Sequence, residues 1–171
     1  MMADPDNDNL LTLTSNIVSA HLAHNTVSTE DIPALIRKVV ERHDPLEVWG
    51  DGNDLKEFIY IQDFIDGMLL VMEKIECFDP INIATGQPCT VNDVLSKILK
   101  IDNYSNANIV FNTSKPTMIP KRLIDITKAK SQLGFQARVS LEDGLRKTIA
   151  WYRTTLTGTG GALGTAAGYN S

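Results

Sequence analysis

Two short apolar runs separated by a dense turn set the fold class of this chain. Leu46-Glu47-Val48-Trp49 alternates and reads as a short strand. Gly50-Asp51-Gly52-Asn53-Asp54 is almost all turn residues, and the chain resumes with Glu57-Phe58-Ile59-Tyr60-Ile61, a second strand rich in β-branched and aromatic residues. An apolar helix follows at once, from about Phe64 to Ile75, with Asp63 placed to cap it. Short strands alternating with helices imply a small α/β unit, not a helical bundle or a β-sandwich.

The remaining pattern extends this reading. Ile81-Asn82-Ile83-Ala84 reads as a strand closed by Thr85-Gly86. Thr90 and Asp93 form a capping box for a helix reaching about Leu99, and Asn108–Phe111 reads as another strand. Residues 112–121 hold two prolines and read as a loop. Thr127–Leu133 reads as a short helix with Gly134 just beyond its end, and Ser140 and Asp143 cap a last helix, Leu141–Tyr152. Before residue 44, apolar residues at helical spacing suggest a hairpin: one helix over Asn9–Ala23, then a capping box at Ser28–Asp31, with Pro33 in the first turn of a second helix ending near His43. The expected organisation is an N-terminal extension over 1–43, an α/β lobe over 44–155 and a Gly/Ala-rich disordered tail over 156–171.

Composition narrows the partners. Apolar residues at 43% and charged residues at 22% suit a globular protein, and a net charge of −5 argues against non-specific nucleic-acid or membrane-surface binding. No apolar run approaches the roughly 18 residues that span a bilayer. The opening MMADPDNDN is acidic and polar, unlike a secretory signal, so a cytoplasmic protein is expected. Cys77 and Cys89 lack metal-type spacing and, with only His21, His24 and His43 beside them, give no zinc ligand set; reduced thiols are expected.

Two blocks carry a family resemblance. The first is V-W-G-D-G, then K-E-F-I-Y-I, an Asp and an apolar helix; the second is S-K-P, then P-K-R, an Asp, L-G-F and a final helix containing W-Y-R. Together they resemble the C-terminal, substrate-binding half of extended short-chain dehydrogenase/reductases of the NAD-dependent nucleotide-sugar epimerase/dehydratase family, and within it the GDP-L-fucose synthases. The resemblance implies a small α/β lobe closing over a nucleotide-sugar, a GDP-sugar first and a UDP-sugar second. In a complete enzyme it implies NADP-dependent epimerisation and reduction of a GDP-4-keto-6-deoxy-sugar. The family's Rossmann half supplies a Gly-rich phosphate loop and a Tyr-x-x-x-Lys pair. Neither pattern occurs here: no Tyr is followed by Lys four residues on, and Gly50-Asp51-Gly52 leads into a strand, not a helix. The expectation is a truncated enzyme with no complete Rossmann domain, no catalytic residue and no cofactor bound by this chain alone.

The resemblance also nominates ligand contacts. Trp49 either lines the nucleotide-sugar pocket or is a core aromatic. Lys56 stands where the family commonly has Arg, keeping the charge but losing the planar fork. Phe58 belongs to the pocket wall or the core. Lys115, Lys121 and Arg122, in or beside the Pro-bracketed loop, form a cationic set suited to a diphosphate. Asp125 either pairs with Arg122 or caps the next helix, and the cap is the simpler role. Thr117-Met118-Ile119 is more apolar than the family's polar pair at that place.

Residues 9–41 read differently. Their L-T-x-x-I-V-S-A-H run and I-P-A-L-I segment resemble the N-terminal helices of Ros/MucR-type transcriptional regulators, without the cysteines of that family's zinc finger. The I-P-A-L-I-R-K stretch also suits the start of the epimerase C-terminal half. A fusion near residues 32–38 or a chance likeness of an amphipathic hairpin would each explain this. A lobe parted from its Rossmann half would have an apolar face to cover, by the hairpin, by a Rossmann-half partner or by a homo-oligomer. The alternative function is accordingly a non-catalytic oligomerisation or regulatory module.

Overall fold

The computed structural model describes residues 32–115 and 119–157. The expected helix over Asn9–Ala23, the Ser28–Asp31 capping box, Thr117, Met118 and most of the tail lie outside the described residues.

The elements run α1 (Ile32–Val40), β1 (Leu46–Trp49), β2 (Leu55–Lys56), α2 (Ile61–Lys74), β3 (Cys89–Thr90), α3 (Val91–Ile101), β4 (Ile109–Asn112), a π-helical turn (Ala129–Leu133) and α4 (Leu141–Thr157). β1 and β4 pair in parallel, Leu46 opposite Ile109 and Trp49 opposite Asn112. Parallel strands need a long crossover, and here β2, α2, β3 and α3 supply it. β2 pairs with β3 antiparallel, Leu55 opposite Thr90 and Lys56 opposite Cys89.

The main core forms where helical and strand periods meet. Leu35, Ile36 and Val39 from α1, Leu46 and Val48 from β1, Val91, Val94, Leu95 and Ile98 from α3, and Leu145 and Ile149 from α4 make one buried cluster. α1 therefore packs into the same core as β1. Beneath it, the buried carboxylate of Asp102 binds the guanidinium groups of Arg42 and Arg153, and Arg42 also donates to the Val39 carbonyl at 2.7 Å. This ties the C-terminal ends of α1, α3 and α4. A second, smaller cluster centres on Ala129, Leu133 and Phe135, with Leu70, Val71, Ile81 and Ile83 packed against it.

The Thr90–Asp93 capping box is present: Asp93 N–H donates to Thr90 Oγ1 at 3.0 Å and Thr90 N–H to Asp93 Oδ2 at 2.9 Å. The turn 50–54 completes that helix start, because Asn92 N–H donates to the Gly52 carbonyl and Val91 N–H to the Asp54 carbonyl. Ser140 accepts from Asp143 N–H at 3.1 Å, as expected for α4. Gly134 closes the π-helical turn at φ +67°, as the αL cap demands.

Three expectations are corrected. Glu57–Ile61 is not a strand. Continuing the β2–β3 register would set Glu57 against Pro88, which has no N–H to give, so the ladder stops at Lys56. Ile81–Ala84 has strand composition but no ladder partner among the described residues; Ile83 packs instead against the bare backbone of Gly67 in α2. Asp63 does not cap α2, which begins at Ile61 with Tyr60 at its N-cap and no side-chain cap. Asp63 is 3% exposed, and its Oδ2 accepts from the backbone N–H groups of Arg138 and Val139 at 3.1 and 2.9 Å. A buried carboxylate is held where donors reach it, and the segment entering α4 supplies two.

Candidate functional site

Three stretches meet at β2. On one side is β3; on the other, Leu55 bridges in parallel to Lys121, with Leu55 N–H donating to the Pro120 carbonyl and Arg122 N–H to the Leu55 carbonyl. The bridge brings residues 120–122 alongside Leu55, so Lys121 and Arg122 reach the strand that carries Lys56. Lys121 and Arg122 are exposed. The Lys56 side chain is 20% exposed and lies 4.0 Å from the Asp54 carboxylate. An anionic ligand reaching Lys56 would compete with Asp54 for it.

The other nominated cation goes elsewhere. Lys115 sits over the Trp49 ring, 5.1 Å from its centroid, at the C-terminal ends of β1 and β4. Trp49 is half-buried, so it presents an edge of the sheet with a cation stacked on it. Phe58 packs against the main core and lines an apolar groove of about 370 Å³ with Tyr60, Leu141 and Leu145. The six nominated residues thus fall into a Lys56–Lys121–Arg122 group, a Trp49–Lys115 pair, and Phe58 on the core side.

Carboxylates near these groups serve the backbone. Asp125 accepts from Thr127 N–H at 2.8 Å, the capping role; bonds from the Thr127 side chain and backbone hold its carboxyl below the usual range. Asn53, first through its backbone N–H, does the same for Asp51 in the turn. Burial pushes the Cys89 thiol up, so opposite Lys56 it stays protonated and unsuited to nucleophilic work. Among the described residues no cluster of His, Cys, Asp and Glu could hold a metal ion, and no helix is long and apolar enough to cross a membrane.

One residue of the site escaped the sequence reading. Glu57 Oε2 accepts from Gly86 N–H at 2.9 Å, and its Oε1 accepts from Ile124 N–H at 3.0 Å. A single carboxylate joins the end of β2, the 85–87 turn and the segment after Lys121. The available signal was an acid at the head of an apolar run, directly after Lys56.

Residues 8–84 match the family described as NAD dependent epimerase/dehydratase. The GDP-L-fucose synthase of Escherichia coli K12 is 31% identical over 151 residues, which is 81% of this chain and 46% of that protein. The chain is similar to members of the NAD dependent epimerase/dehydratase family over these residues. Its structure is similar to the UDP-glucose 4-epimerase of Thermotoga maritima, solved with UDP-glucose, at 30% identity and a TM-score of 0.67 over 73% of this chain and 40% of that one. It is also similar to the UDP-glucuronic acid 4-epimerase of Bacillus cereus, solved with UDP-glucuronic acid and NAD, at 29% identity and a TM-score of 0.67 over 74% of this chain and 41% of that one. The chain spans less than half the length of these relatives. The family match begins at residue 8 and so takes in residues 9–41; it gives no support to a Ros/MucR likeness or to a fusion near residues 32–38.

The cofactor side of this family does not fit the described residues. A dinucleotide pyrophosphate needs a Gly-rich turn that opens a helix. Gly50 and Gly52, at φ +80° and +78°, instead lead into β2, and Gly52 sits against the Asn92 side chain.

Proposed function

We propose that this chain provides the nucleotide-sugar side of an NAD(P)-dependent epimerase/dehydratase, with a GDP-sugar as the preferred ligand. The observation that carries this reading is the Leu55–Lys121 bridge, which gathers Lys56, Lys121 and Arg122 from two segments far apart in sequence. A diphosphate presents two negative charges and several acceptor oxygens, and a guanidinium with two ammonium groups answers both. Similarity to the GDP-L-fucose synthase of Escherichia coli favours guanosine over uridine. In this reading hydride transfer and proton transfer belong to residues outside this chain, because it holds no Tyr-x-x-x-Lys pair. The boundaries 1–43, 44–155 and 156–171 are retained as part of the proposal, with α1 packed onto the lobe.

Titration calorimetry with GDP, UDP and NADP⁺ tests it. Saturable GDP binding that is lost in the Lys121→Ala, Arg122→Ala double variant is the expected result. Absence of heat with GDP and UDP would overturn it, and NADP⁺ binding would contradict the division of labour.

A second reading, an association module, draws on one observation: α2 exposes Ile61, Ile65, Leu69 and Met72, residues at helical spacing on one stripe. The hairpin that the sequence offered for this role lies outside the described residues apart from α1, whose Leu35 and Ile36 are buried. Light scattering on the wild type and a Leu13→Asp variant separates the two; a monomeric wild type sinks the association reading.

A further inference from the structure

The Glu57 carboxylate does more than close a turn. Leu55 bridges to Lys121, and among the described residues no ladder continues past that bridge. Arg122 and Leu123 lie between the bridge and the next contact, in which the Glu57 carboxylate accepts from Ile124 N–H. Its other oxygen is anchored by the N–H of Gly86, a residue at φ +67° whose missing Cβ would meet Ile126. With each oxygen already taken by a backbone donor, Glu57 holds the cations in place without facing them as a rival anion.

We propose that Glu57 is a positioning residue: by tying the end of β2 to the 85–87 turn and to Ile124, it fixes the segment that carries Lys121 and Arg122 and so presents them to the diphosphate of the bound nucleotide. This rests on the nucleotide-sugar reading above. It predicts a loss confined to the second phosphate. The uncharged amide of Glu57→Gln offers one acceptor and turns its NH₂ group toward the other N–H, so one clamp contact breaks.

The test is calorimetry on the full chain with GDP and GMP as probes, alongside thermal melting. Wild type should bind GDP more tightly than GMP. Glu57→Gln should cut that preference by roughly tenfold, the scale of one misaligned charge-assisted bond, while GMP affinity stays within about threefold. In the Glu57→Gln background, Arg122→Ala should then cost less than it does in wild type, as coupled residues require. An unchanged GDP-to-GMP ratio, or equal losses for both nucleotides, would show a structural role alone and overturn the inference while leaving the nucleotide-sugar reading intact. A wild type that binds neither nucleotide would overturn both. Should Glu57→Gln fail to fold, Glu57→Asp keeps both acceptor oxygens on a shorter stem and reads the same ratio, with a smaller loss expected and an unchanged ratio again counting against the idea.

Discussion

Around α1, β1, α3 and α4, apolar side chains join the elements; around α2 and the π-helical turn, much of the joining is done by side-chain charges gripping backbone. In the first region Val39, Leu46, Val48 and Ile98 have no exposed surface. In the second, α2 buries only Asp63 and Gly67, while Ile61, Leu69 and Met72 are each more than half exposed. Polar contacts stand in for packing there: Asp63 on residues 138 and 139, Lys74 Nζ on the Leu133 carbonyl at 2.9 Å, and Lys128 on Asp79 and the Pro80 carbonyl. The lesson is that a region can be placed accurately by hydrogen bonds yet gain little stability from them, since each replaces a bond to water.

The largest expected effect separates the regions directly. Ile98→Ala removes a fully buried side chain between α1, β1 and α4, and should cost about 3 kcal/mol. Leu69→Ala, on a residue 54% exposed, should fall within about 0.5 kcal/mol. Urea denaturation of both variants gives the comparison. Similar losses would break it, and would mean that the α2 stripe is covered in solution.

Asp102→Ala tests the first region's one charged cluster. The Asp102 side chain is wholly buried, while Arg42 and Arg153 are about half exposed. Freed arginines can therefore rehydrate, so the loss should be about 2 kcal/mol, below the 3–5 kcal/mol typical when a fully buried partner is stranded. A loss under about 0.5 kcal/mol in the same denaturation assay would assign the helix ends to packing alone.

Asp63→Asn is the matching probe of the second region. The carboxamide retains an accepting oxygen, but its NH₂ group cannot accept, and the charge is gone. The entry to α4 should loosen for about 1 kcal/mol. Amide exchange is the sharper readout: Arg138 and Val139 should exchange faster, with residues of α1 unchanged. Acceleration spread evenly over both regions would show that they open as one unit.

How much was legible in the sequence follows the same division. The first region was readable because its signals are local. Leu46-Glu47-Val48 alternates, Thr90 and Asp93 stand at capping spacing, and so do Ser140 and Asp143; the structure returned all three. The second was not, because its decisive contacts are remote. Glu57–Ile61 and Ile81–Ala84 have strand composition, yet a strand needs a partner, and Pro88 denies the first its continuation. Asp63 stands where a cap belongs, but its donors come from residues 138 and 139, which no local spacing reveals. The candidate site was readable as residue types and not as geometry. The sequence nominated Lys115, Lys121 and Arg122 as one cationic set and Lys56 separately, whereas the structure parts Lys115 from them; the Leu55–Lys121 bridge and the two Glu57 contacts are tertiary facts.

The effect at the α3 cap is similarly small, and it carries a pH signature. Thr90→Ala removes one half of the capping box and should cost about 1 kcal/mol. The Asp93 carboxyl is held below its usual range first by the Thr90 backbone N–H and then by the Thr90 hydroxyl. A carboxyl whose folded value is depressed adds stability that is fully present above its unfolded value and is lost as pH falls through the folded one. The contribution of Asp93 should therefore be intact at neutral pH and decline progressively as pH falls below about 4. In Thr90→Ala the backbone donor survives and the hydroxyl does not. The Asp93 carboxyl should move part of the way back toward its ordinary value, and the acid-side loss of stability should narrow. Carboxyl chemical shifts followed through an acid titration give the answer for wild type and variant alike. A full return to the ordinary value would mean that the hydroxyl, not the backbone N–H, holds the box together.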